Sequence, residues 1–172
     1  KVPAAVARPT TDFVRQAVFN IISEKVYGAR VLDLFAGSGA LGLEALSRGA
    51  ASCTFVDEHR QAVAVVSENL KKASLSGGNP VKSEVITHLK REMGSYDLIF
   101  ADPPYWKYHG DKDHATDLLK SGLIEPRLAP DGWFIVEIGS HQKSPETEGF
   151  HLLVRREYGS SAILIYTAAD AS

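Results

Sequence analysis

Val31-Leu32-Asp33-Leu34-Phe35-Ala36-Gly37-Ser38-Gly39-Ala40-Leu41-Gly42 is the stretch that decides the fold. Residues 30–35 form a short apolar run, read as a buried strand. A glycine turn follows over 36–39, and a helix over 40–47. Gly37, Gly39 and Gly42 spell G-x-G-x-x-G between the strand and the helix. Glycine lets the backbone turn sharply and approach a ligand without a Cβ clash, and the helix start offers free N–H groups. Strand, glycine turn and helix in this order open a doubly wound α/β sheet.

The flanks extend the pattern. Upstream, residues 1–9 are irregular, with Pro3 and Pro9. Thr10 or Thr11 can cap a helix whose apolar positions are Val14, Val18, Ile21 and Ile22. Downstream, a strand over 52–56 ends at Asp57. His59, Val63, Val66 and Leu70 mark a helix face, broken at Gly77 and Gly78. A third strand is expected over 81–85, a short helix over 86–91 and an almost wholly apolar strand over 96–101. A helix over 113–123 and a strand over 132–138 follow. Segments 151–157 and 162–167 then form a hairpin around Gly159 and Ser160. Alternating strands and helices predict a mostly parallel sheet with an antiparallel edge. No repeat or second domain is visible, so 1–172 is expected to be a single domain.

Composition narrows the class. Hydrophobic residues make up 44% and charged residues 23%, an ordinary globular balance. Cys53 is the only cysteine, which excludes a disulfide framework and a thiolate metal site. It reads as a small buried hydrophobe on the second strand. His109 and His114 lack metal-ligand spacing, so no metal is expected. No apolar run approaches a membrane span, and a cytoplasmic protein is expected. The net charge of −2 argues against a nucleic-acid partner, because phosphate binding usually leaves a basic footprint. The chain begins at Lys1 rather than Met, so a natural N-terminal extension is expected to precede it.

Two groups of residues carry chemistry. Asp57, ending the second strand, is placed to accept hydrogen bonds from ribose hydroxyls. That much leaves a nicotinamide oxidoreductase open. Asp33 shifts the balance, because a carboxylate just ahead of the turn would repel a pyrophosphate. It suits a cofactor carrying a sulfonium and an ammonium, namely S-adenosylmethionine; the alternative is that Asp33 merely binds backbone N–H groups of the loop. Asp102-Pro103-Pro104-Tyr105 ends the fourth strand at the same edge, where open α/β sheets bind ligands. A base amino group is a poor nucleophile because its lone pair is delocalised. Asp102 and the Pro103 carbonyl can accept its hydrogens and aim the lone pair at a methyl donor. The prolines hold these acceptors in place, and Tyr105 can stack on the base.

Arg8-Pro9-Thr10 with Arg15 and Phe19-Asn20-Ile21, the segment 31–50, and 97–105 together resemble the bacterial 16S ribosomal RNA (guanine-N2)-methyltransferases. The resemblance runs over nearly the whole chain. It implies a seven-stranded Rossmann-like methyltransferase fold with antiparallel last strands. It implies an N-terminal segment, 1–27, of which 8–20 close over the methionine end of S-adenosylmethionine, and a core over 28–172. Arg8, Thr10, Asn20, Asp33, Gly37, Gly39 and Asp102 would line that site, with Asp57 on the ribose and Glu84 facing the adenine amino group. Asp102, Pro103 and Tyr105 would be catalytic. The implied partner is 16S rRNA or an assembling small ribosomal subunit, met by a monomer. The family carries a basic, glycine-rich stretch before Arg-Pro-Thr that is absent here. Arg8, Arg15, Lys107 and Lys112 are the remaining cations near the expected mouth, with Trp106 and Tyr108 among them.

The rivals use the same site differently. A DNA adenine-N6 methyltransferase would flip its base out of a duplex, but usually carries a recognition region for which there is no room. A protein glutamine methyltransferase generally has Asn where Asp102 stands. A cofactor-binding module without catalysis has no need of an intact 102–105.

Overall fold

A computed structural model describes residues 11–103 and 113–169. Thr11 caps α1 (Asp12–Val26), its hydroxyl accepting from the Val14 N–H at 3.1 Å. The order then runs β1 (Arg30–Leu34), α2 (Ala40–Ser47), β2 (Ser52–Asp57), α3 (Arg60–Lys72), β3 (Gly78–Lys82), α4 (Val85–Arg91), β4 (Tyr96–Ala101) and α5 (His114–Lys120). A 3-10 turn at Glu125–Arg127 leads into β5 (Leu128–Gly139), and the hairpin is β6 (Phe150–Tyr158) and β7 (Ser161–Ala168).

The seven strands form one sheet in the order β3-β2-β1-β4-β5-β7-β6. β1 to β5 pair in parallel, whereas β7 runs antiparallel to both β5 and β6. The antiparallel strand therefore lies one place in from the edge. The chain turns outward in opposite directions from β1 and β4, which makes their carboxyl ends the switch point where a crevice opens. This is the seven-stranded, Rossmann-like sheet with an antiparallel C-terminal hairpin that the sequence resemblance implies.

Each face of the sheet buries its own core. Leu32, Leu34, Val56, Ile99 and Val136 point toward α4 and α5. Val31, Cys53, Phe55, Phe100 and Ile135 point toward α1, α2 and α3, which contribute Val14, Val18, Ala45 and Val66. Strand alternation, with side chains changing face at each residue, sorts the two sets.

Three elements, β3, α5 and β5, differ from the sequence expectation by three residues or more at one bound or both. β3 lies three residues earlier than 81–85, because Ser83-Glu84 turns the chain into α4 and the Glu84 carboxylate accepts from the Ile86 and Thr87 N–H groups, each at 3.0 Å. Its Pro80 is tolerated because β3 is an edge strand. α5 stops at Lys120 rather than 123, since Gly122 takes a left-handed backbone at φ 75°. β5 begins at Leu128, before the Pro130-Asp131-Gly132 sequence that reads as a turn. Tyr96 pairs with Leu128 across a register shift, and Asp131 absorbs the irregularity at φ 64°.

Candidate active site

Four carboxylates gather at the carboxyl edge of the sheet, on the face covered by α1, α2 and α3. Asp33 is level with Phe55 of β2 and Phe100 of β4. Asp57 and Asp102 stand two residues beyond those positions and so share its face. Phe100 is level with Ile135 of β5, and Glu137 stands two beyond Ile135. Asp102, Glu137, Val18 and Leu41 line one cavity of about 10 Å³, room for little more than a water. A larger open groove of about 520 Å³ runs outside α2 and α3 past Ser38 and Asn69, and none of the four carboxylates lines it.

The glycine turn is tied to two of these acids. The Gly37 N–H donates to Asp57 Oδ2 at 2.9 Å, and Asp57 Oδ1 accepts from the His59 N–H at 2.9 Å. The Gly42 N–H donates to Asp33 Oδ2 at 3.1 Å, which clamps the start of α2 onto β1. The Gly39 N–H closes the turn onto the Ala36 carbonyl at 2.8 Å. The three glycines have different reasons to be glycine. A Cβ on Gly39 would lie 2.9 Å from Val66 Cγ2, and one on Gly42 would lie 2.6 Å from Cys53 Sγ. A Cβ on Gly37 would meet nothing within 4 Å, and its backbone holds φ 58°. Gly42 therefore serves close packing, Gly39 serves close packing and also holds a left-handed backbone at φ 84°, and Gly37 leaves an open cradle whose conformation favours glycine.

Burial sets the electrostatics. Asp33 is only 2% exposed. Its carboxyl is pushed well above the usual carboxylate range by burial and further by Asp102 and Asp57, against the Gly42 hydrogen bond. Such a site favours either a proton or an incoming cation. Burial likewise pushes the Cys53 thiol up, in keeping with an inert core position.

The other expected residues divide. Asp102 is half-buried and Pro103 buried, directly beyond β4. Tyr105, Arg8 and Thr10 lie outside the described residues, as do Trp106, Lys107, Tyr108, His109 and Lys112. Asn20 is exposed on α1. Arg15 pairs with Asp12 at 3.0 Å and Glu44 at 3.6 Å. Glu84 is at the same sheet edge, with its carboxylate capping α4. His114 stacks edge-on against Phe35, ring centroids 5.3 Å apart. No group of three acidic, histidine or cysteine residues with metal-holding geometry occurs among the described residues. No described helix is long and apolar enough to cross a membrane. Glu137 was not singled out from sequence; its signal was a lone charge inside the apolar run 133–138, buried here to 6% exposure.

The donor set fits S-adenosylmethionine. An open glycine cradle, a ribose-level carboxylate and buried negative charge on one face match a cofactor with a sulfonium, an ammonium and ribose hydroxyls.

Comparison with known proteins agrees. The chain is 39% identical over 166 residues to YlbH of Bacillus subtilis, named as a candidate rRNA methyltransferase, covering 92% of this chain and 86% of that protein. It is 43% identical over 135 residues to ribosomal RNA small subunit methyltransferase D of Escherichia coli, covering 76% of this chain. It spans 60% of that enzyme's length. The solved structure of yhhF from Escherichia coli, titled as a candidate methyltransferase, superposes with a TM-score of 0.81 at 28% identity, covering 96% of this chain and 91% of that one. The profile of the family described as Conserved hypothetical protein 95 matches residues 1–167. The chain belongs to that family, a family of S-adenosylmethionine-dependent methyltransferases.

Proposed function

We propose that the chain transfers a methyl group from S-adenosylmethionine to the exocyclic N2 amine of a guanine in 16S ribosomal RNA of the small subunit. The observation that carries this is Asp102, just beyond β4, lining one cavity with Leu41 of α2 and lying close enough to Asp33 to raise its pKa, while Asp33 and Asp57 hold the glycine turn. On this reading a cofactor site and an amine-accepting site share one sheet edge. The name of the Escherichia coli relative supports the small-subunit RNA target.

When bound, S-adenosylmethionine supplies an electrophilic methyl group on a sulfonium. Gly37 gives it backbone room, and Asp57 offers the lone pairs left over from Gly37 and His59 to ribose hydroxyls. Asp33 sets negative potential beneath the positive methionine end. Glu84, at the same sheet edge, would accept from the adenine amino group. Arg8, Thr10 and Asn20 belong to the same proposal as parts of a segment, 1–27, that closes over the core 28–172. Asp102 accepts one hydrogen of the guanine amine and the Pro103 carbonyl accepts the other, which turns the nitrogen lone pair toward the methyl group. As the N–C bond forms, the methyl group's bond to sulfur breaks with its electron pair left on sulfur, and the nitrogen becomes cationic. Asp102 stabilises that charge and accepts the departing proton. Tyr105 would hold the base by stacking.

The chain is slightly acidic, so few phosphate contacts come from its own charge. Protein surface on a ribosomal particle can supply the missing affinity, and a splayed loop guanine lowers the unstacking cost. Initial rates on assembled small subunits, naked 16S RNA, duplex DNA and protein, at one salt concentration, test the proposal. Small subunits should be methylated fastest and duplex DNA slowest among the nucleic acids. Faster transfer to duplex DNA would favour adenine-N6 chemistry instead.

A further inference from the structure

A second surface at this edge has the makings of an RNA contact. Phe13, in the first turn of α1, is 69% exposed. Its ring stands edge-on to Tyr158 at the end of β6, with centroids 5.8 Å apart and planes at 78°. Strand register locates the pair: Tyr158 is level with Ser161 of β7, which is level with Gly139 of β5, two residues beyond Glu137. Val18, five residues along α1 from Phe13, lines the cavity that Asp102 also lines. The aromatic pair therefore flanks the catalytic edge. The other exposed large apolar side chains among the described residues stand elsewhere. Tyr27 and Met93 precede β1 and β4 at the opposite edge, Val65 is on α3, and Leu152 and Leu153 lie early in β6.

A cation accompanies the pair. Val154 and Tyr158 pack against the same core as α1, so alternation along β6 puts Arg156 on that face between them. Arg156 is exposed and forms no ion pair among the described residues. Its neighbour Arg155, on the opposite face, is occupied: it donates to Ser144 Oγ at 2.9 Å, the Ser140 carbonyl at 3.0 Å and Glu157 at 3.1 Å. An exposed ring backed by a half-buried one, beside a guanidinium with no ion pair among the described residues, is the combination that holds single-stranded nucleic acid, with the exposed ring against a base and charge against phosphate.

We propose that Phe13, Tyr158 and Arg156 form a platform for the single-stranded RNA next to the methylated base, with Phe13 stacking on a neighbouring base and Arg156 meeting a phosphate. This rests on the RNA substrate proposed above. It gives a slightly acidic chain an affinity that depends on stacking more than on charge.

The test uses the full chain and a fluorescein-labelled single-stranded RNA of about 12 nucleotides, a length such surfaces span, read by anisotropy. Phe13→Ala should weaken binding by roughly 5- to 150-fold, the range for losing one stacked base. Phe13→Trp should restore it. Arg156→Gln should weaken binding, flatten its salt dependence and leave S-adenosylmethionine affinity unchanged. All three variants should melt like the parent, since the side chains are on the surface. Parental affinity and parental RNA methylation in both Phe13→Ala and Arg156→Gln would overturn the platform while leaving the methyltransferase reading intact. A parent protein that neither binds nor methylates RNA would overturn both.

Discussion

The Asp57 carboxylate, at the end of β2, accepts the Gly37 N–H of the turn after β1 at 2.9 Å. One side chain thus shapes the glycine cradle of its neighbouring strand while facing the crevice itself. The two duties can be separated. Asp57→Asn keeps an acceptor for Gly37 but loses charge-assisted bonding to ribose hydroxyls. We expect melting to change little and the S-adenosylmethionine Kd to rise about 10- to 100-fold, the range for losing a hydrogen bond to a charged group. Asp57→Ala should lower Tm as well. Calorimetry and thermal melting on both variants check this, and unchanged affinity in Asp57→Asn would remove the ribose role.

Asp33 predicts a pH effect. Burial raises its folded-state pKa above the unfolded carboxylate value, so the native state holds more protons in the window just above that value. Stability is then fully present below the unfolded pKa and falls as pH rises toward the folded pKa. Asp33→Asn keeps the Gly42 hydrogen bond without the charge. Its melting temperature should hold steady across the window in which the parent's falls. Cofactor binding should move the other way and weaken in Asp33→Asn, because the cation loses its counter-charge. Equal cofactor affinity in the two proteins would reduce Asp33 to a clamp on the loop.

Gly42 predicts a packing effect. An added Cβ would press on Cys53 Sγ and the Phe55 ring in the buried face. Gly42→Ala should cost about 1–3 kcal/mol, as for other overpacked cores. Chemical denaturation measures it. At Gly37, where the space is open, the cost of Gly37→Ala comes only from the left-handed backbone, about 1–2 kcal/mol. A Gly42→Ala protein as stable as the parent would contradict the packing described here.

Much of this was legible in the sequence, for identifiable reasons. Residues 40–47 and 96–101 match α2 and β4 because a glycine turn and an apolar run delimit them sharply. β3 was misplaced because its edge position tolerates Gly78 and Pro80, which a central strand would not. The start of β5 was hidden behind a Pro-Asp-Gly turn signal that pairing with β4 overrides. At the site, Asp33, Gly37, Gly39 and Asp57 announced themselves through spacing. The division of labour among the glycines did not, because it depends on Phe55, Cys53 and Val66, which come from other elements. Glu137 joins Asp102 only through strand register, which sequence spacing does not reveal.

The proposed chemistry depends most on Asp102. Asp102→Ala removes an acceptor whose value rises as charge develops on the amine. Turnover should fall by roughly two to three powers of ten, by analogy with loss of one preorganised polar group. Cofactor affinity should change far less. Single-turnover kinetics with separately measured binding make the distinction. Near-parental turnover would mean that another group positions the amine.

The most direct measurement follows the methyl group itself. The full chain is incubated with methyl-labelled S-adenosylmethionine and small ribosomal subunits from cells lacking this gene, and the RNA is digested to nucleosides. Label eluting with N2-methylguanosine, and absent when Asp102→Ala replaces the parent, is the result expected of an amine positioned by Asp102 and Pro103. Label in N6-methyladenosine, in a ring-carbon methyl group or in ribosomal protein would contradict it.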